Sequence, residues 1–349
     1  MKSSGFKRFV CRSLVALLPV AAFVALYLVR DPFGVVHRYD GISIAPGDTL
    51  ERIPNKRYVA VEGLKFYDPE HNYDSFIFGS SISSNFSAEA WKKHLPDSAR
   101  VYHFTAGAET LTGIRDELGY LIREGYPVRH ALLVIEEEML RRPKRYEEMP
   151  YVPHYDVSNE ISWLHFQRVH FNAFRDPYMF LYQFCPTSRV VDVLMEDAKL
   201  TTVPEGRDES INEDSYNQLD SAILSDPDAF YADKSWLVEM QPTPDPMPLS
   251  IDAATEQVLN DIARLLRDNH VDYVVLVPPR VRSQPLSMID RGVLCDIFGD
   301  NNVNDFSNDS VLIHDLHSYY DGIHILTYRC SQLIDSCYQR RQSSLTLPR

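Results

Sequence analysis

The 349 residues contain no Cys-x-x-Cys pair, no His-Glu-x-x-His signature, no internal repeat, no low-complexity tract and no long block of one charge. Without paired cysteines, a zinc knuckle or a thioredoxin-like redox site is excluded. Positive charge is also in deficit: 35 Lys and Arg face 49 Asp and Glu, giving a formal net charge of −14 and a pI near 5.3. Such a surface repels phosphates over most of its extent, which argues against a nucleic-acid partner. The five cysteines (Cys11, Cys185, Cys295, Cys330 and Cys337) are scattered. An oxidising compartment permits disulfides among the last four. Cys330 and Cys337 share an expected helix at a spacing too long for a mutual bond, so buried free thiols are expected.

The N-terminus is the first positive signal. Lys2, Lys7, Arg8 and Arg12 precede an uncharged run from Ser13 to Val29. Its length is near the lower limit of about 17 residues for a spanning helix, and Phe9 and Val10 extend it past a snorkelling Arg12. The leading positive charges predict a cytoplasmic N-terminus with the rest of the chain outside. A cleaved signal peptide is the competing reading. The run passes into Tyr27-Leu28-Val29-Arg30 without a small-residue cleavage box, which favours an uncleaved anchor over residues 1–30.

Beyond it, residues 31–55 hold many turn formers and read as a juxtamembrane spacer leading to a short strand at Tyr58–Val61. The organising stretch follows. Phe76, Ile77 and Phe78 form an apolar run that stops at Gly79-Ser80-Ser81, and a helix opens near Ala88 with Ser87 as N-cap. Val101–Phe104 reads as a second strand with Gly107 in the turn after it. Thr112–Gly125 is an amphipathic helix ended by glycine, and His130–Ile135 is a third strand. Ile251–Asn269 is a further helix, and Tyr273–Val277 a fourth strand stopped by Pro278-Pro279. Val311–His314 reads as a short fifth strand, and a last helix spans about Thr327 to Tyr338. Alternating strands and helices predict an α/β domain over residues 56–340: a doubly wound, mostly parallel sheet with flanking helices, followed by a tail at 341–349. Residues 141–248 break the rhythm. Amphipathic segments near Phe180–Leu200 and a polar, loop-like Thr202–Asp233 predict an insertion, either a cap over a site or a peripheral decoration.

Strand ends of α/β sheets are where nucleophiles and ligands sit, and a serine in a tight turn there projects its hydroxyl outward. Serine alone is a poor nucleophile and needs a base. Asp321 and His324 are three apart in the turn before the last helix, close enough for the carboxylate to hold one imidazole nitrogen while the other takes a serine proton. Ser80, directly after Gly79, reads as a structural turn residue.

Taken together, Gly79-Ser80-Ser81 after a strand, Gly107 in the next strand–helix turn, and Asp321-Gly-Ile-His324 before the last helix resemble the SGNH (GDSL-like) hydrolase superfamily. The resemblance is closest to its membrane-anchored branch, similar to acyl-transfer proteins of bacterial cell-surface polymers. It runs in element order from about Tyr58 to Tyr338, without the middle section. It implies a three-layer SGNH/flavodoxin-like fold, Ser81 as nucleophile, His324 as general base and Asp321 as its orienting acid, with Ser81 and Gly107 amides as the oxyanion hole. The superfamily's further Asn donor is not visible: the segment after the third strand reads Val134-Ile-Glu-Glu-Glu-Met139. Losing one such donor costs several kcal/mol of transition-state stabilisation.

The expected protein is therefore a single-pass, extracytoplasmic serine esterase or O-acyltransferase of a bacterial envelope, needing no cofactor. Its expected acceptor is a surface polysaccharide or lipid-linked glycan, and a membrane acyltransferase is the partner the resemblance suggests. The rival is a catalytically inactive SGNH-like scaffold or glycan-binding protein. A metal hydrolase built on His314, His317, His324, Asp315 and Asp321 is a third option, although their spacing matches no strong ligand signature. Arg280, at the same rim, is the weak candidate for contacting an anionic substrate.

Overall fold

The computed structural model describes residues 3–41, 55–141, 143, 147–177, 180, 205–232, 234, 251–281 and 285–346. They fall into two compact units.

The first unit joins residues up to Tyr39 with the segment that begins at Trp163. Helix α1 (Ser3–Arg30) contains an apolar stretch, Phe6–Arg30, long enough to cross a membrane. The chain turns immediately after it. Asp31 takes the left-handed conformation (φ 40°), and its carboxylate accepts hydrogen bonds from the amides of Val35, Val36 and His37. This folds residues 33–35 back, where Phe33 and Val35 are buried. The expected spacer is thus partly an ordered return; residues 42–54 lie outside the described residues.

The second unit is α/β. Helix α2 (Lys56–His71) occupies the place of the expected strand at Tyr58–Val61. Four consecutive apolar residues suit a buried helix as well as a strand. The local decision comes from Asn55, whose side chain caps the helix by accepting from the amides of Arg57 and Tyr58. Strand β1 (Ser75–Gly79), helix α3 (Ala88–Lys92, capped by Ser87), strand β2 (Val101–Thr105), helix α4 (Leu111–Arg123) and strand β3 (His130–Val134) then follow as the sequence predicts. Short helix α5 (Glu137–Arg141) leaves the rim after β3.

Within residues 141–248, the described parts divide. Helix α6 (Trp163–Phe174) belongs to the first unit. Residues 205–232 belong to the second and are not loop: β4 (Gly206–Asp208) and β5 (Glu213–Ser215) form a hairpin, followed by α7 (Asn217–Ser225) and α8 (Pro227–Tyr231). Polar composition hid the hairpin because charge holds it. Asp214 is buried between Arg207 at 2.7 Å and Lys56 at 2.8 Å, and the tip covers the edge of β2 through Asn212 Nδ2 to the His103 carbonyl. Most of the amphipathic segment expected over Phe180–Leu200 lies outside the described residues.

Helix α9 (Ala253–Asp268) and strand β6 (Asp272–Val277) agree with expectation. The fifth strand does not. It is β7 (Val303–Asp305), preceded by helix α10 (Met288–Phe298), whereas Val311–His314 is a turn. Asp309 organises that turn by accepting from the amides of Val311 and Leu312, leaving Val311 exposed. The last helix, α11 (Thr327–Thr346), continues through most of the expected tail.

All five strands of the main sheet are parallel, in the order β2-β1-β3-β6-β7. Alternate residues supply two cores. Phe76, Phe78, Leu133 and Val275 face α2, α4, α9 and α10, while Ile77, Leu132, Val134 and Leu276 face α3 and α11. A sheet buried on both faces explains the continuous apolar runs of its strands. Connections run to opposite sides from the neighbours β1 and β3, which opens a crevice between their carboxyl ends. Cys295, Cys330 and Cys337 are free thiols; Cys185 lies outside the described residues.

Candidate active site

Ser81 stands at that crevice. The backbone after β1 must pass close to its own next turn: a Cβ on Gly79 would lie 2.6 Å from the Ser83 Cβ and 3.0 Å from the Val134 carbonyl oxygen. Only glycine fits there. Ser80 is buried and caps the 3-10 turn Ser81–Asn85, its hydroxyl accepting from the Ile82 amide at 3.3 Å. It serves as a turn residue, and Ser81 after it is half-buried.

His324 arrives from the opposite side of the chain. Its Nε2 lies 2.9 Å from Ser81 Oγ, and its Nδ1 lies 2.8 Å from Asp321 Oδ2. Asp321 Oδ1 also accepts from the amides of Ile323 and His324, each at 2.8 Å. Burial alone would raise the Asp321 carboxyl, but the hydrogen bonds and charge of His324 hold it down at about 2. An anionic Asp321 fixes a proton on Nδ1 and leaves Nε2 free to accept the serine proton. The turn is closed by a bridge between Tyr319 and Ile325 and by the Tyr320 amide bonded to the His324 carbonyl at 2.8 Å. Helices α7 and α8 brace it: the Tyr320 hydroxyl bonds Asp220, and the Tyr231 hydroxyl bonds the Tyr319 carbonyl. Nothing in the spacing of these four residues announced that role.

Gly107 lies in the loop after β2, level with Ser81, since Gly79 and Thr105 are paired in register. Among the described residues, neither the Ser81 nor the Gly107 amide donates to another protein group. The left-handed residue of this loop is Ala108 (φ 50°) and not Gly107, where a Cβ would meet only Tyr151 at 3.8 Å. A non-glycine residue in this region needs outside support. Arg57 supplies it. Its guanidinium donates to the Ala108 carbonyl at 3.0 Å, to the Tyr151 carbonyl, and to both Glu109 oxygens at 2.6 and 3.0 Å. Glu109 in turn occupies the space a Cβ at Gly113 would need, 1.9 Å from Oε1. Beneath this pair lies Glu117, whose carboxyl is pushed well above the usual range by burial and then by the Glu109 charge. Three ionisable groups scattered between residues 57 and 117 converge under one loop.

Glu136 follows β3 at the same rim. Its half-buried carboxyl lies near Ser80, Arg280 and His324; burial raises its affinity for a proton. Arg280 ends β6 at this rim, near Glu136 and 3.9 Å from Glu137. Its charge is already balanced by carboxylates, which weakens it as an anion-binding residue.

Among the described residues, His314, His317, His324, Asp315 and Asp321 do not form a group with ligand-like spacing. His317 stacks on Tyr231 and Asp315 pairs with Arg329 at 3.1 Å, apart from the Asp321–His324 couple. Among the described residues, the group with ligand-like spacing is Glu62, His154 and Asp156. Lys65 already sits in it as the cation, 2.9 Å from Glu62 and 2.6 Å from Asp156.

No protein-family model matches the chain, and no curated protein matches it either.

Proposed function

We propose that the chain is a membrane-anchored, extracytoplasmic serine esterase or O-acyltransferase of SGNH type, acting through a Ser81 acyl-enzyme on a cell-surface polysaccharide or lipid-linked glycan. The observation that carries this reading is the unbroken relay from Ser81 Oγ through His324 to Asp321, with contacts of 2.9 and 2.8 Å at the crevice of a parallel sheet. In this reading His324 Nε2 takes the hydroxyl proton as Ser81 attacks an ester carbonyl. The amides of Ser81 and Gly107 receive the oxyanion, and the proton passes to the departing alcohol. A water or sugar hydroxyl, deprotonated by the same imidazole, then takes the acyl group from Ser81. The apolar helix α1 supports the anchor, and the glycan acceptor follows from that location and from the resemblance alone.

One observation favours the inactive-scaffold reading: the segment after β3 carries Glu136 and no asparagine at this rim, and its carboxyl would repel an oxyanion whenever it is ionised. Incubating the full chain with a fluorophosphonate, beside Ser81→Ala, separates the two. Mass spectrometry is expected to find one adduct on Ser81 that the variant lacks. A folded wild-type chain that stays unlabelled would favour the scaffold.

A further inference from the structure

Helix α1 does not leave the membrane alone. Arg12 and Arg30 bracket its uncharged run, and at about 1.5 Å per residue they stand about 27 Å apart, close to the hydrocarbon thickness of a bilayer. With Arg30 at the outer interface, Tyr27 lies about 4 Å and Phe23 about 10 Å inside it. Yet both residues are packed against α6 and its continuation. Phe23 lies 5.0 Å from Phe174, 5.9 Å from Phe171 and 5.9 Å from Phe180, and Tyr27 lies 5.2 Å from Phe171 and 5.4 Å from Phe174. After the turn at Asp31, Phe33 meets His170 and the Val35 carbonyl accepts from Gln167. On α1, Tyr27 meets Phe171 and Phe174, while Phe23, one turn deeper, also reaches Phe180. The two segments are therefore antiparallel, and the second descends along the anchor toward the membrane.

We propose that helix α6 and Phe180 after it form a second membrane-contacting element, with Phe171, Phe174 and Phe180 sunk in the outer leaflet beside the anchor. Residues in ring contact with Phe23 share its depth, and that depth is the boundary between headgroups and acyl chains where interfacial helices settle. The composition fits. Aromatic rings are the side chains that this boundary favours, and exposed Arg168 and Arg175 have stems long enough to carry their charges up to lipid phosphates. A water-soluble cap would have no reason to follow a spanning helix inward. The occupant of this surface is the lipid of the outer leaflet.

The test uses the full chain in phosphatidylcholine nanodiscs, with and without bromine on the acyl chains. In a Trp163→Phe background, Phe180→Trp reports the inner end of the element and Leu18→Trp the middle of the anchor. Both are referenced to the background protein. Loss of emission in brominated discs, with blue-shifted spectra, is expected for both. Quenching of Leu18→Trp with red, unquenched emission from Phe180→Trp would overturn the proposal while leaving the anchor intact. No quenching at either position would remove the anchor and the proposal together. Hydroxyl-radical footprinting of the unmodified chain in the same discs guards against a misfolded variant. Half-buried Phe171 and Phe180 are expected to escape oxidation while exposed Trp163 is hit, and oxidised Phe180 would overturn the proposal. None of these readouts depends on Ser81 chemistry.

Discussion

The two flanks of Ser81 are built by opposite means. On one side, His324 and Asp321 lie three residues apart in a single turn, and their contacts are short-range hydrogen bonds. On the other, the Gly107–Glu109 loop is held from below by Arg57, Glu109 and Glu117, three buried ionisable groups drawn from two helices and a loop. The first flank is a local motif, while the second is a foundation assembled across the fold. A local motif can be lost by drift at one residue without harm to the fold. A buried charge cluster fails as a unit, because removing one partner strands the others.

That contrast predicts where activity and stability part company. The largest effect is on turnover. His324→Ala should lower ester hydrolysis by about 10⁴-fold or more while leaving the melting temperature close to wild type. Wild-type-like cleavage by a folded variant would remove the proposed base.

Arg57→Ala should do the reverse of a clean catalytic lesion. It leaves Glu109 charged and buried without its partner, at a cost of about 3–5 kcal/mol. Chemical denaturation should show a lower midpoint, and fluorophosphonate labelling of the remaining folded protein should slow because the Gly107 amide is no longer held. A variant as stable as wild type would mean that the cluster is not the foundation described.

The smallest effect is a pH dependence. Glu117 keeps its proton in the folded protein above the pH at which the unfolded chain releases it. Its contribution to stability is complete below the ordinary carboxylate range of about 4 to 4.5 and is lost as pH rises toward the folded value. Glu117→Gln, which stays neutral, should therefore flatten the fall of thermal stability with rising pH. An unchanged pH profile would show that the carboxyl is ionised in place.

Much of this architecture was legible beforehand because buried parallel strands leave a mark: β1, β2, β3 and β6 are short apolar runs ending in turn residues, and α4 and α9 carry helical periodicity. Reading failed where that mark is ambiguous or absent. Tyr58–Val61 is apolar in both conformations, and a cap at Asn55 decides for helix. Strand β7 reads Val-Asn-Asp, too short and polar to stand out, so the neighbouring Val311–His314 drew the assignment. The hairpin at 206–215 is held by ion pairs, which hydrophobic patterning cannot register.

Sequence by itself determined the candidate nucleophile and its base, because Gly79-Ser80-Ser81 and Asp321-Gly-Ile-His324 are local turns whose chemistry follows from residue type and spacing. It also marked the apolar N-terminal helix, since length and absence of charge are properties of a single segment. Only the tertiary structure decided that Ser81 and His324 meet although 243 positions apart in the chain, that Arg57, Glu109 and Glu117 share one buried site, and that Glu136 lies near His324 and Arg280. The physical reason is range. A turn or an apolar run is specified by neighbours along the chain, whereas a buried charge can be satisfied only by whatever partner the packed fold carries to it.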